Sequence, residues 1–423
     1  MKHFAFRYRD VLKLPNYRRL LLANAVNRFG DSIDMLAFSW LVYAITGSAS
    51  WSALVATFNI LPTVLLQPLA GPLVDRMDKK RVMVACDLAR AALAAATAGL
   101  YLLGALAPWM LLAITTLVSS VEALRVPAGV SLVPLLIEPE QYETCTAANS
   151  SLSTLAVLVG TGAAGVCIAL LGISGTLFVD AALIALSGLL LSRLQAGKAP
   201  APAQALSLRT YKTDLTAGFQ LIFRHRALLV LCLVGAGLNF TLCPLNSLQA
   251  PYAAQVLQGG SEVLSLLGVC MTVGQLLGSV LMPSLSAKLS FRWLLAGAGA
   301  LAGGFYLALI AVAGLPAVWM YLVIGLASAV FGFVISLLNV SVGVRLMSSV
   351  EQGFLGRISG SFNAFACLAM PVGNGLTAAL AARLPIPFLF IGLGVLLFLS
   401  SVGLAFCKGL EGSPRPAHQT PEA

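Results

Sequence analysis

Asn24, Asn27, Arg28, Asp31 and Asp34 recur every three or four residues through an otherwise apolar stretch. On a helix turning 100° per residue, all five fall in one arc of about 120°. Glu122 and Arg125 sit three residues apart in another apolar stretch. Arg28 with Asp31, and Glu122 with Arg125, have the spacing of intrahelical ion pairs. Two readings stand: the pairs only hold a bundle together, or the carboxylates take up and release protons. Asp34 has no cation within a turn of its own helix and leads the proton-carrying candidates, with Asp31 and Glu122 behind it. His3, His225 and His418 lie outside the apolar runs, so a proton route through this chain uses carboxylates.

The C-terminal half offers neutral polar groups instead: Asn239, Asn246, Gln249, Gln275, Asn339, Asn363 and Asn374. Asn239 and Asn246 share a helix face that Gln249 extends, and Pro244 between them favours a kink. Together with Asn24 and Asn27, these amides are expected to line a substrate cavity suited to an amphipathic organic molecule. The alternative is that each makes a helix–helix hydrogen bond. The eight cysteines show no metal-ligand spacing and read as small packing residues.

The elements that carry these groups must be membrane helices. Hydrophobic residues make up 59% of the 423, charged residues 10%, and the mean hydropathy is +0.91. Soluble domains carry roughly 25% charged residues, so a soluble enzyme or nucleic-acid-binding module is excluded. Turn signals divide the chain into twelve apolar spans: 20–45, 52–74, 82–105, 109–133, 145–170, 175–193, 227–251, 262–286, 293–313, 317–344, 357–381 and 387–406. Each is long enough to cross about 30 Å of hydrocarbon.

The net charge of +10 comes from Lys and Arg gathered on one side of the spans; only Arg28, Arg90, Arg125 and Arg383 fall elsewhere. This bias makes that side, with both termini, cytoplasmic in a multi-pass protein of the plasma or inner membrane. The expected organisation is an N-terminal arm (1–19), a six-helix bundle (20–194), a linker carrying an amphipathic surface helix (195–226), a second six-helix bundle (227–406) and a tail (407–423). An internal repeat supports two pseudo-symmetric halves. Val159-Gly160-Thr161-Gly162 recurs as Val372-Gly373-Asn374-Gly375, which lays span 5 over span 11. Asp180, near the outer end of span 6, is expected at the membrane interface.

The loop after span 2 reads Gly71-Pro-Leu-Val-Asp75-Arg76-Met-Asp78-Lys79-Lys80-Arg81. It resembles the signature of the major facilitator superfamily. Gly71 permits close helix approach, Asp75 can cap a neighbouring helix, and Lys80 and Arg81 suit an anionic lipid surface. The resemblance implies an all-α fold of two six-helix bundles. It also implies a cytoplasmic latch of Asp75 and Arg76 against the start of span 11, Gly353-Phe-Leu-Gly356-Arg357. Gly47-Ser48-Ala49, Asp87-Leu-Ala-Arg90, Pro139-Glu140-Gln141 and Ala369-Met370-Pro371 resemble the branch of macrolide-efflux and enterobactin-exporter proteins. Two features differ from that pattern: span 4 has Leu117-Val118-Ser119-Ser120 where an arginine is usual, and span 5 lacks a Gly-Pro pair.

The expectation is therefore a secondary active exporter, not an enzyme, of a small amphipathic molecule. It would work by alternating access as a monomer in the bilayer, with the proton gradient as energy source and without cofactor, metal or nucleic acid. A lysophospholipid or siderophore carrier is the alternative within transport. A receptor or sensor would need a signalling domain, for which 407–423 is too short.

Overall fold

The computed structural model describes residues 13–75, 77–138, 141–195, 226–286, 290–348 and 355–406, and positions 11, 220 and 223. The proposed amphipathic helix of the linker and the 407–423 tail lie outside the described residues. Among the described residues there is no strand. The helices are α1 (Pro15–Thr46), α2 (Ala49–Asp75), α3 (Lys79–Leu102) and α4 (Pro108–Leu132), then one long element, Tyr142–Ser192. Beyond it come α7 (Arg226–Gln255), α8 (Ser261–Ser286), α9 (Phe291–Ala311), α10 (Ala317–Ser348), α11 (Leu355–Ala381) and α12 (Ile386–Phe406). The long element is broken at Gly172, where φ is 70° and ψ is 179°, a backbone that glycine alone adopts without strain. It therefore supplies two spans, α5 (142–171) and α6 (173–192), and the described residues hold twelve such helices.

Other breaks fall where turn chemistry placed them. Gly47, Gly104 and Gly314 have positive φ, and Pro108 opens α4 at a position where its missing N–H costs nothing. The cap of α3 is Asp78, which accepts from the Arg81 backbone N–H at 3.1 Å.

Most of these helices are long and apolar enough to cross a bilayer, α5 and α6 being counted as one stretch, Thr144–Ser192. The apolar part of α11 is shorter, Phe365–Ala381. In α1, Arg28, Asp31 and Asp34 interrupt the apolar run. The protein is a multi-pass membrane protein.

The chain divides into two compact units, Met1–Thr46 with Phe58–Leu208, and Gly47–Thr57 with Arg209–Ala423. The first turns of α2 thus group with the second unit, where the Ser50 hydroxyl donates to the Ala378 carbonyl at 2.8 Å. Pairing inside the units repeats. α1 packs on the α5–α6 element as α7 packs on α11, and α9 packs on α12. Gly160 lies against Phe29 and Ser32 of α1, and Gly373 lies against Cys243 and Phe240 of α7. The duplicated glycines are therefore the close-approach points of equivalent helix pairs.

The two interiors differ. The second unit is filled by Tyr252, Phe305, Tyr306, Phe331 and Phe390, with Phe305 stacked on Phe331 at 4.1 Å between centroids. These rings come from α7, α9, α10 and α12. The counterparts of those helices in the first unit, α1, α3, α4 and α6, bring charges together instead.

Gly332 faces the backbone of Met271, leaving no room for a methyl group, whereas Gly304 meets nothing within 4 Å. Gly332→Ala is expected to cost about 1–3 kcal/mol of stability and Gly304→Ala almost nothing. Thermal unfolding of the purified protein checks this, and equal midpoints would contradict the close packing of α8 on α10.

Candidate functional site

Arg90 organises the interior of the first unit. It rises from α3 with only 5% of its side chain exposed and places Nη2 2.6 Å from Asp31 Oδ1. Arg28 also reaches Asp31, at 3.5 Å, but its side chain is 49% exposed. The expected Arg28–Asp31 pair thus exists, though the stronger partner of Asp31 is on another helix. Partly exposed pairs contribute little, and buried ones matter because breaking them strands a charge.

Glu122 and Arg125 do not pair with each other. Arg125 turns instead to Asp87 of α3, which it meets through Nε and, at 3.4 Å, through Nη2. Asp87 is fully buried, and the Ser187 hydroxyl lies 2.7 Å from its Oδ2. The buried pair wins because Asp87 would otherwise be an uncompensated charge. Glu122 is half-buried and stays within electrostatic reach of Arg90 and Asp34. Asp87 and Arg90, three residues apart, point about 60° apart on α3, so one serves α4 and the other α1.

Asp34 faces a small chamber of about 30 Å³, lined also by Arg90, Asp180, Asn59, Thr97 and Thr115. That volume suits one or two waters. Asp180 is not interfacial, as its place near the end of span 6 had suggested. Its side chain is fully buried, and neither carboxyl oxygen has a hydrogen-bond partner. Gly30 makes the space, since a Cβ there would stand 2.8 Å from Asp180 Oδ1. Val118 of α4 lines the same chamber, so α3 supplies a guanidinium beside the stretch of α4 that lacks one.

A larger cavity of about 390 Å³ lies nearer the end of the unit that holds residues 17–20 and 130–142. Its polar lining includes Asn24, Asn27, Arg28, Arg125 and Asn149. The Asn24 amide donates to Asn149 Oδ1 at 3.1 Å, while Asn27 Nδ2 is buried without a partner. The sequence missed Arg90, Asp180 and Asn149 as site residues. The Asp87–Arg90 spacing was visible, but nothing in it told an inward-facing pair from an intrahelical one.

The amides of the second unit are not gathered in the same way. Asn239 donates to the Ala366 carbonyl of α11 at 3.0 Å, a bond between helices. Gln249 is buried with Nε2 unpartnered, Asn246 and Gln275 are half-buried, and Asn339 is exposed. Of the loop signature, Lys80 is half-buried and Arg81 is exposed, 3.5 Å from Asp78. Arg76, the surroundings of Gly71, and the side chains of Asp75, Arg357 and Asn363 lie outside what is described.

Two repeated six-helix units with a charged interior in one of them are the build of a secondary membrane carrier. The chain belongs to the Major Facilitator Superfamily, whose sequence profile matches residues 20–374; it is a membrane transporter and not an enzyme. It is 23% identical over 378 residues to macrolide efflux protein A of Streptococcus pyogenes, covering 89% of this chain and 92% of the relative. It is 26% identical over 399 residues to the multidrug efflux pump Tap of Mycolicibacterium fortuitum, covering 93% and 95%. The fold resembles the crystal structure of the nucleoside transporter NupG, with a TM-score of 0.72 at 14% identity, covering 92% of this chain and 98% of that one. A bacterial homologue of the human lysosomal transporter Spinster gives 0.67 at 14% identity, with 94% and 95% covered.

Asp87→Asn is expected to destabilise the protein by about 3–5 kcal/mol, because Arg125 then stays buried without its anion. Asp87→Leu combined with Arg125→Met is expected to recover much of that loss. Unfolding midpoints in detergent check both, and a neutral Asp87→Asn would show that the pair is not needed.

Proposed function

We propose that this transporter is a proton-coupled exporter of an amphipathic, macrolide-like small molecule, working by alternating access in the plasma or inner membrane with both termini in the cytoplasm. One observation carries the reading. Arg28, which lines the large cavity, and Arg90, which lines the chamber of Asp34, both hold Asp31. Asp31 therefore ties the place where a cargo fits to the place where a proton fits. A cargo that engages Arg28 or the free amide of Asn27 changes the hold of Asp31 on Arg90. Arg90 is then released toward Asp34 or withdrawn from it. Proton arrival at Asp34 works the same string in reverse, as thermodynamic linkage requires. The large cavity mixes amide and guanidinium donors with apolar walls, a lining that matches an amphipathic guest rich in acceptors. The similarity to efflux proteins named for macrolides and multiple drugs supports the direction and the cargo class.

A proton moving down 100 mV releases about 2.3 kcal/mol, enough to sustain a concentration gradient of about fiftyfold. Proteoliposomes loaded with radiolabelled erythromycin, with and without an imposed pH gradient, test the proposal. Wild-type transport is expected to rise at least about tenfold with the gradient, and Asp34→Asn to lose that rise. A wild type indifferent to the gradient would remove proton coupling. Equal stimulation of Asp34→Asn would remove Asp34, and no transport at all would remove the macrolide-like cargo.

A further inference from the structure

The carboxyl of Asp180 has no role in the account above, yet it is the most exceptional group in the first unit. It is fully buried, both of its oxygens lack partners, and it borders the chamber that Asp34 and Arg90 also line. An interior site that served packing alone would be apolar. The second unit shows this, for Phe390 of α12 fills the equivalent interior with its ring against Tyr252 and Tyr306.

Charge balance gives the next step. The groups facing Asp180 are Asp31 and Asp34 from α1 and Arg90 from α3. Asp87 of α3 is already matched by Arg125. Glu122 of α4 is half-buried and within electrostatic reach of Arg90 and Asp34. Asp31, Asp34, Asp180 and Glu122 thus stand near the guanidiniums of Arg28 and Arg90, four acids against two cations, and in the chamber itself Asp34 and Asp180 share Arg90, which Asp31 already engages. An unmatched carboxylate in such a place costs several kcal/mol, and one proton shared by the two chamber acids relieves it. Asp31 is ion-paired twice and does not need it. Asp34 and Asp180 share the chamber. The buried Nε and Nη1 of Arg90 are unpartnered donors there, ready for whichever acid is ionised.

We propose that Asp180 and Asp34 hold a single proton between them and exchange it across this chamber, making Asp180 a second proton-carrying group of the transporter. In the exchange, the O–H bond of one carboxylic acid breaks and a water in the chamber takes that proton. The same water gives a proton to the other carboxylate, so an O–H bond forms there and no electrons are transferred. Arg90 pairs with the acid left ionised. The proposal rests on the proton-coupled reading above and adds a residue to it.

Infrared spectroscopy of the protein at neutral pH reads the shared proton as a carboxylic-acid C=O stretch. Because removing either chamber acid leaves no second carboxylate to share the proton with, the band of the shared proton is expected to be lost in Asp180→Asn and equally in Asp34→Asn. Gradient-driven erythromycin transport is expected to fall at least about tenfold in Asp180→Asn. An unchanged band in Asp180→Asn overturns the proposal, and so does a lost band with wild-type stimulation by the gradient. A wild type that ignores the gradient overturns the coupled reading as well, and that result is seen without any variant. If Asp180→Asn does not fold, Gly30→Ala serves. It keeps every charge, sets a methyl group 2.8 Å from Asp180 Oδ1, and is expected to shift the band and lower the stimulation. No change in either would overturn the proposal.

Discussion

A guanidinium buried among more carboxylates than it can neutralise is the constraint around which the first unit is arranged. Arg90 cannot leave its charge behind, because a guanidinium does not deprotonate in a protein. The helices around it must therefore supply anions, and they supply Asp31 by direct contact, with Asp34 and Asp180 across the chamber. Each carboxylate placed there to satisfy Arg90 becomes a burden once the cation is taken. In the proposed mechanism, a proton on one of these acids relieves it without moving the backbone.

The comparison of the two repeats makes the same point from the opposite side. In the second unit, α7, α9, α10 and α12 close on stacked rings, with the Tyr252 and Tyr306 hydroxyls satisfied by the Leu309 and Thr241 carbonyls. Such an interior is dense, neutral and indifferent to pH. In the first, the corresponding helices leave a space of about 30 Å³ and line it with ionisable groups. Duplicated helices with a shared glycine contact have thus been given different interiors. In the proposed mechanism, the first unit is the one that responds to protons. The Asp87–Arg125 pair, closed by Ser187, gives the first unit a fixed point beside its variable one.

Much of this was legible in the sequence. The twelve spans followed from apolar lengths and from glycines and prolines at their breaks, because a bilayer allows few other solutions. The polar face of α1 followed from helical periodicity, and the span-5 and span-11 repeat followed from four residues. Partners across helices were not legible. Spacing within one helix suggested Glu122 for Arg125, whereas the fold offered Asp87, which lies deeper. Asp180 looked interfacial because its distance from a turn was readable, while the burial produced by Gly30 on another helix was not. The amides of the second unit were readable as polar, but which of them bond across helices, as Asn239 does to Ala366, was not.

The most direct test of the central claim is a double-mutant cycle on Arg90 and Asp31, read by thermal unfolding. Arg90→Met alone is predicted to cost about 3–5 kcal/mol, since it strands the acids it serves. Adding Asp31→Asn should return part of that loss, with a coupling of at least about 1 kcal/mol. If the two changes add within about 0.5 kcal/mol, Arg90 does not hold the cluster together, and the account of the first unit as a charge-balanced proton site is contradicted.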